Sequence, residues 1–121
     1  LFWNTVGSNL TALGHHALTL NTADNNTAVG AFALDANTTG TANVAMGVNT
    51  LGANTTGNNN TAVGAFALDS NTTGTRNSAL GMSALTSNIA GNDVTALGYN
   101  ALLLNTADNN TAVGSQALDA N

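Results

Sequence analysis

The chain contains no cysteine, no proline, no lysine and no glutamate, and its one basic residue is Arg76. Each absence excludes something. Without cysteine there is neither a disulfide framework nor a thiolate metal site. With one base against six acids and a net charge of −5, a phosphate-binding or nucleic-acid surface has no electrostatic footprint. No run of 18 apolar residues exists, so no helical membrane contact is expected. The low charge and abundant Asn, Thr and Gly suit a disordered chain. Against disorder stands a hydrophobic content of 43%, placed at fixed intervals.

The intervals are set by a glycine at Gly14, Gly30, Gly47, Gly64, Gly81, Gly98 and Gly114, spaced 16 or 17 residues apart. Ala stands two residues before each of these glycines, and Leu13, Val29, Met46, Val63, Leu80, Leu97 or Val113 one before. Four after comes a column of leucines: Leu18, Leu34, Leu51, Leu68, Leu85, Leu102 and Leu118. Seven after comes a column of asparagines: Asn21, Asn37, Asn54, Asn71, Asn88, Asn105 and Asn121. A longer period overlies the short one. Residues 11–37 match residues 95–121 at 22 of 27 positions, an offset of 84 or five coils. Leu1 falls in the Leu column and Asn121 in the Asn column, so both ends are expected to be cut from a longer array.

A period this short is too small for two helices or a leucine-rich repeat. It fits a coil of two short strands joined by two turns. The expectation is therefore all-β: a parallel β-solenoid of about seven coils, forming one repeat domain over residues 1–121. T-A-V-G and the A-L step are the strand candidates. N-T-T-G, N-I-A-G and N-T-A-D are the turn candidates, rich in residues that cap their own turns. In the two 16-residue coils Asp24 and Asp108 are expected to replace the turn glycine. Stacked coils place like residues about 4.8 Å apart, so the Asn column is expected to hydrogen-bond as a ladder. The N-x-[ST] sequons at Asn25, Asn37, Asn54 and Asn71 are read as products of that ladder rather than glycan acceptors.

Alternate side chains on a strand face opposite ways. Ala and Gly of T-A-V-G share one face; Thr and the aliphatic residue share the other. The same rule puts the column Leu and the Ala before it on opposite faces. One face of a thin coil must then stay outside, carrying an apolar stripe that invites self-association. The leucines together with Val29, Val63 and Val113 are thus candidates for core or interface, with the choice between the two left open.

N-N-T-A-V-G (25–30), N-S-A-L-G (77–81) and V-T-A-L-G (94–98) resemble the head repeats of YadA-like trimeric autotransporter adhesins. The longer T-A-V-G-x-x-A-L-x-x-N-T-T-G unit also resembles repeats of phage-tail-like and bacterial surface fibres. The resemblance implies a left-handed parallel β-roll, a side-by-side homotrimer and an extracellular, cell-surface or virion location. The 16–17-residue coils are longer than the usual adhesin head repeat.

Chemistry has little to stand on. His15 and His16 are adjacent and would face opposite ways in a strand. Asp35, Asp69 and Asp119 share a column with Gly52, Thr86 and Leu103 between them, and read as solubilising turn residues. Asp24–Asn26 and Asp108–Asn110 read as turn caps before Ca²⁺ ligands. No catalytic, metal or cofactor residue is nominated, and no enzyme is expected. The positions that vary while the frame holds are the two after each anchor glycine. His16, Phe32, Asn49, Phe66 and Tyr99 are therefore where a host-surface or matrix ligand would bind, although Phe32 and Phe66 also suit a subunit seam. The expected function is a structural or adhesive segment of a trimeric fibre. The alternatives are a phage tail-fibre shaft and an ice-binding solenoid with Thr ladders at Thr11, Thr27, Thr61, Thr95 and Thr111 or at Thr22, Thr38, Thr55, Thr72 and Thr106.

Overall fold

The computed structural model describes residues 6–119; Leu1, Phe2, Trp3, Asn4 and the ladder candidate Asn121 lie outside them. Seven three-residue strands follow one another: β1 Thr11–Leu13, β2 Thr27–Val29, β3 Val44–Met46, β4 Thr61–Val63, β5 Ser78–Leu80, β6 Thr95–Leu97 and β7 Thr111–Val113. They pair in chain order as one parallel sheet, each column residue opposite its own copy: Ala28 opposite Ala45, Ala45 opposite Ala62. The chain is a β-solenoid of about six turns.

Each coil carries one strand, not two. The A-L step is a turn, because the leucines of the column take a left-handed backbone, with φ of 49 to 57° from Leu18 to Leu118. An L-residue pays about 1–2 kcal/mol for that region. Burial of a Leu side chain contributes about 1.5–3 kcal/mol and offsets it. The turn also overturns the expectation that Leu and the preceding Ala face apart. Ala33 and Leu34 are both fully buried, as are Ala67 and Leu68. The turn backbone is satisfied across coils: Leu34 N–H donates to Thr50 O, and Leu51 N–H to Ala67 O, both at 3.1 Å. The anchor glycines have φ of 129 to 139°, and from Gly14 to Gly98 a Cβ would run into the carbonyl of the next anchor glycine. Only glycine meets both conditions.

The coil interior is lined by the strand alanines, the Ala-Leu pairs of the turns and two columns of asparagine. The Asn ladder is present. Asn54 Nδ2 donates to Asn37 Oδ1, and Asn71 Nδ2 to Asn54 Oδ1, each at 2.8 Å. Each amide also donates to the carbonyl of its own turn glycine, as Asn71 does to Gly74 O at 3.1 Å. A second ladder runs beside it through Asn26, Asn43, Asn60 and Asn77, where each Oδ1 accepts the backbone N–H of the next column residue at 2.9 to 3.0 Å. The sequence signal for it was an Asn four residues before the anchor glycine. Buried amides that satisfy one another in series let a thin coil have a polar interior without the cost of orphaned groups.

The turns of the short coils differ from expectation. Ala23 and Ala107, not the aspartates, stand where longer coils have glycine: Asn21 Nδ2 donates to Ala23 O and Asn105 Nδ2 to Ala107 O. Asp24 and Asp108 occupy the next position, accepting the N–H of Ser8 and of Asn92 from the preceding coil at 2.7 Å.

Candidate functional sites on the rod surface

With the alanines of β1–β7 turned inward, the first and third residue of each strand point out. This resolves the choice left open by the sequence. Leu18, Leu34, Leu51, Leu68, Leu85 and Leu102 are core. Val29 and Val63 are half-buried on the outside of the sheet, and Val113 is exposed with them; Leu118, in the last described coil, is also exposed. The outer face is two parallel ridges. One is Leu13, Val29, Met46, Val63, Leu80, Leu97 and Val113; the other is Thr11, Thr27, Val44, Thr61, Ser78, Thr95 and Thr111. Between them, over Ala79 and Ala96, runs a shallow apolar groove of about 230 Å³. No charged residue occurs in either ridge.

The apolar surface continues around the turn. Val48, Met82 and Tyr99, one residue past the anchor glycine, are 47%, 50% and 45% exposed. The next column holds His16, Phe32, Asn49 and Phe66, all with φ between 52 and 60°. The left-handed backbone turns these side chains outward at the corner, and both phenylalanines are 39% exposed. The candidate binding residues therefore lie side by side along one edge. His15 and His16 sit in the turn, not a strand, with ring centroids 4.2 Å apart; the His16 ring stacks on Phe32 at 5.4 Å. Among the described residues no group of three or more His, Cys, Asp or Glu could hold a metal ion.

Below this edge lie Asp35 and Asp69, two coils apart with Gly52 between. A Cβ on Gly52 would stand 2.8 Å from Asp69 Oδ1 and 3.7 Å from Asp35 Oδ1, so both carboxylates lean into the space that glycine leaves. Burial pushes the Asp35 carboxyl above its ordinary value, against the N–H groups of Asp35 and Ala36 and the charge of His16. Burial raises Asp69 as well, helped by the negative charge of Asp35. Elsewhere Arg76 grips Asp93 of the next coil through Nε–Oδ1 at 2.6 Å and Nη2–Oδ2 at 2.7 Å, which holds the Asp93 carboxyl below its ordinary value.

The two Thr ladders are not equivalent. Thr22, Thr38, Thr55 and Thr72 donate their hydroxyls to carbonyls of the next coil. The sheet threonines lie on the outer face, Thr11, Thr61, Thr95 and Thr111 exposed and Thr27 half-buried. Comparison of the chain with protein-family models, with curated proteins and with solved structures returns no match, so the functional reading rests on this geometry.

Proposed function

We propose that the chain is a structural, adhesive segment of an extracellular fibre, adhesin head or stalk, built from three left-handed rolls side by side. The carrying observation is the uncharged ridge from Leu13 to Val113, left outside a coil whose interior is already filled. An apolar stripe running the length of a rod favours a partner of the same length and period, and a parallel copy of this chain has both. Val48, Met82 and Tyr99 widen the stripe; the Phe32–Phe66 edge then lies at a subunit seam or presents a ligand surface beside it. A virion tail-fibre shaft is the same reading with another source. Buried amide ladders repeated from coil to coil suit length and regularity.

The regular outward column of sheet threonines favours a second reading, an ice-binding face, although Val44 and Ser78 interrupt the array. The mass of the chain in solution, by light scattering after size exclusion, separates the two. A mass near three chains is the expected result. A monomer that depresses the freezing point without lowering the melting point overturns the fibre reading in favour of ice.

A further inference from the structure

The turn-to-turn bonding runs from coil to coil until one seam, where it stops. In the internal turns the N–H groups of Thr38, Thr39 and Gly40 all donate to Thr55 O, and those of Thr55, Thr56 and Gly57 to Thr72 O. Thr72 and Thr73 donate to Ile89 O. The next step fails: Ile89, Ala90 and Gly91 donate to nothing in the turn that follows, Asn105–Asp108. That turn belongs to a short coil. Lacking one residue, it withdraws: a Cβ on Gly74 would meet the next turn carbonyl at 2.5 Å, but on Gly91 the corresponding Ala107 O is 3.2 Å away. Asn105 turns its amide to Ala107 O instead of up the ladder, and Asn88 Oδ1 is left buried with no partner. Among the described residues it is the one buried side-chain polar atom in that condition.

Two breaks in the repeat pattern fall at the same place. In longer coils Thr38, Thr55 and Thr72 donate their hydroxyls up to the next turn, and at this seam that column holds Ile89. In the second ladder Asn43 and Asn60 donate Nδ2 to the carbonyls of Gly57 and Gly74 in the following turn. Before the short coil that column holds Val94, and before the other short coil Leu10, 84 residues earlier. In this second column the side chain that needs an acceptor from the next turn is absent before both short turns.

We infer that the seam between the turns Asn88–Gly91 and Asn105–Asp108 is a hydrated joint, the point at which the rod opens first and bends. Water enters on the turn side and takes up Asn88 Oδ1 and the idle N–H groups of Ile89 to Gly91. On the opposite side the β5–β6–β7 pairing holds the coils together. Between Asn21 and Asn88 the amide ladder is unbroken, so a stiff run of coils ends at this joint. The joint lies away from the sheet ridges and does not depend on whether they pair.

Hydrogen exchange of the intact chain, resolved to single amides, tests the inference. The amides of Ile89, Ala90 and Gly91 are expected to exchange on the order of 100-fold faster than those of Thr55, Thr56 and Gly57. Equal protection overturns it. A second variant separates the joint from simple loosening near a chain end. Ala107→Thr with one glycine inserted after it, combined with Val94→Asn and Ile89→Thr, restores a long coil at the same distance from the end. Protection of residues 89–91 is expected to rise to that of Thr55–Gly57. If the amides stay fast in that variant, the missing residue is not the cause and the joint is refuted.

Discussion

At the scale of single residues the fold is a bargain between backbone strain and packing. Each coil places three non-glycine residues in the left-handed region: one before the second Asn column, one at the exposed corner, and the buried leucine. The leucines from Leu18 to Leu102 are compensated by full burial. The first position is exposed and has no such compensation, and the sequence there is mostly Asn: Asn9, Asn25, Asn59 and Asn109. Asn tolerates this region better than most side chains because its short amide bonds locally. Asp93 shares that short polar side chain, and Arg76 in the same column is tied to Asp93 by an ion pair; Ala42, at φ 56°, has neither. Ala42→Asn is therefore expected to stabilise the rod by about 0.5–1 kcal/mol, read as a raised midpoint in urea. A lowered midpoint would mean that this column is not under strain.

At the scale of the coil, much was legible in the sequence and some was not. The period, parallel in-register pairing and the first Asn ladder follow from columns that repeat without regard to neighbours. The number of strands does not, because A-F-A-L reads as extended unless Leu34 and Leu68 are known to lie at positive φ. Alternation then misplaces Ala33 and Ala67, which share the interior with those leucines. The Asp35–Gly52–Asp69 triplet was legible as a column but not as a charge cluster, since the glycine gap draws the carboxylates together only in three dimensions. Both carboxyls have pKa values raised above the unfolded-chain value, so the folded state binds their protons more tightly than the unfolded chain does. Their charge costs stability at neutral pH. That cost is relieved as pH falls through the raised folded values and is gone below the ordinary carboxylate range of about 4. Asp93 runs the other way: its pair with Arg76 is lost only as pH falls through its lowered folded value, and the pair is exposed and weak. Asp69→Asn is expected to raise the melting temperature at neutral pH, with the advantage shrinking on acidification toward pH about 4. A constant difference across that range would refute the charge cluster.

At the scale of the whole molecule, the proposed association of copies sets two forces against each other. Five net negative charges on a 121-residue rod repel a second copy at long range. The ridges from Leu13 to Val113 and Thr11 to Thr111 carry none of that charge, so apolar burial favours contact there and electrostatics opposes it. Salt at about 1 M shortens the screening distance to about 3 Å. It is expected to tighten the assembly, where an assembly held by ion pairs would loosen. The sharper probe is Val63→Asp at the middle of the ridge. Val63 points outward from β4, so the coil interior and the Asn ladders are untouched, and the circular dichroism of the variant should match the parent. In an assembled face each copy would desolvate an unpaired carboxylate, at an effective cost of several kcal/mol per ion. The variant is expected to run as a single chain at concentrations where the parent is assembled. Assembly that survives Val63→Asp, or that dissolves in salt, places the contact on another face, with the Phe32–Phe66 edge the next to test.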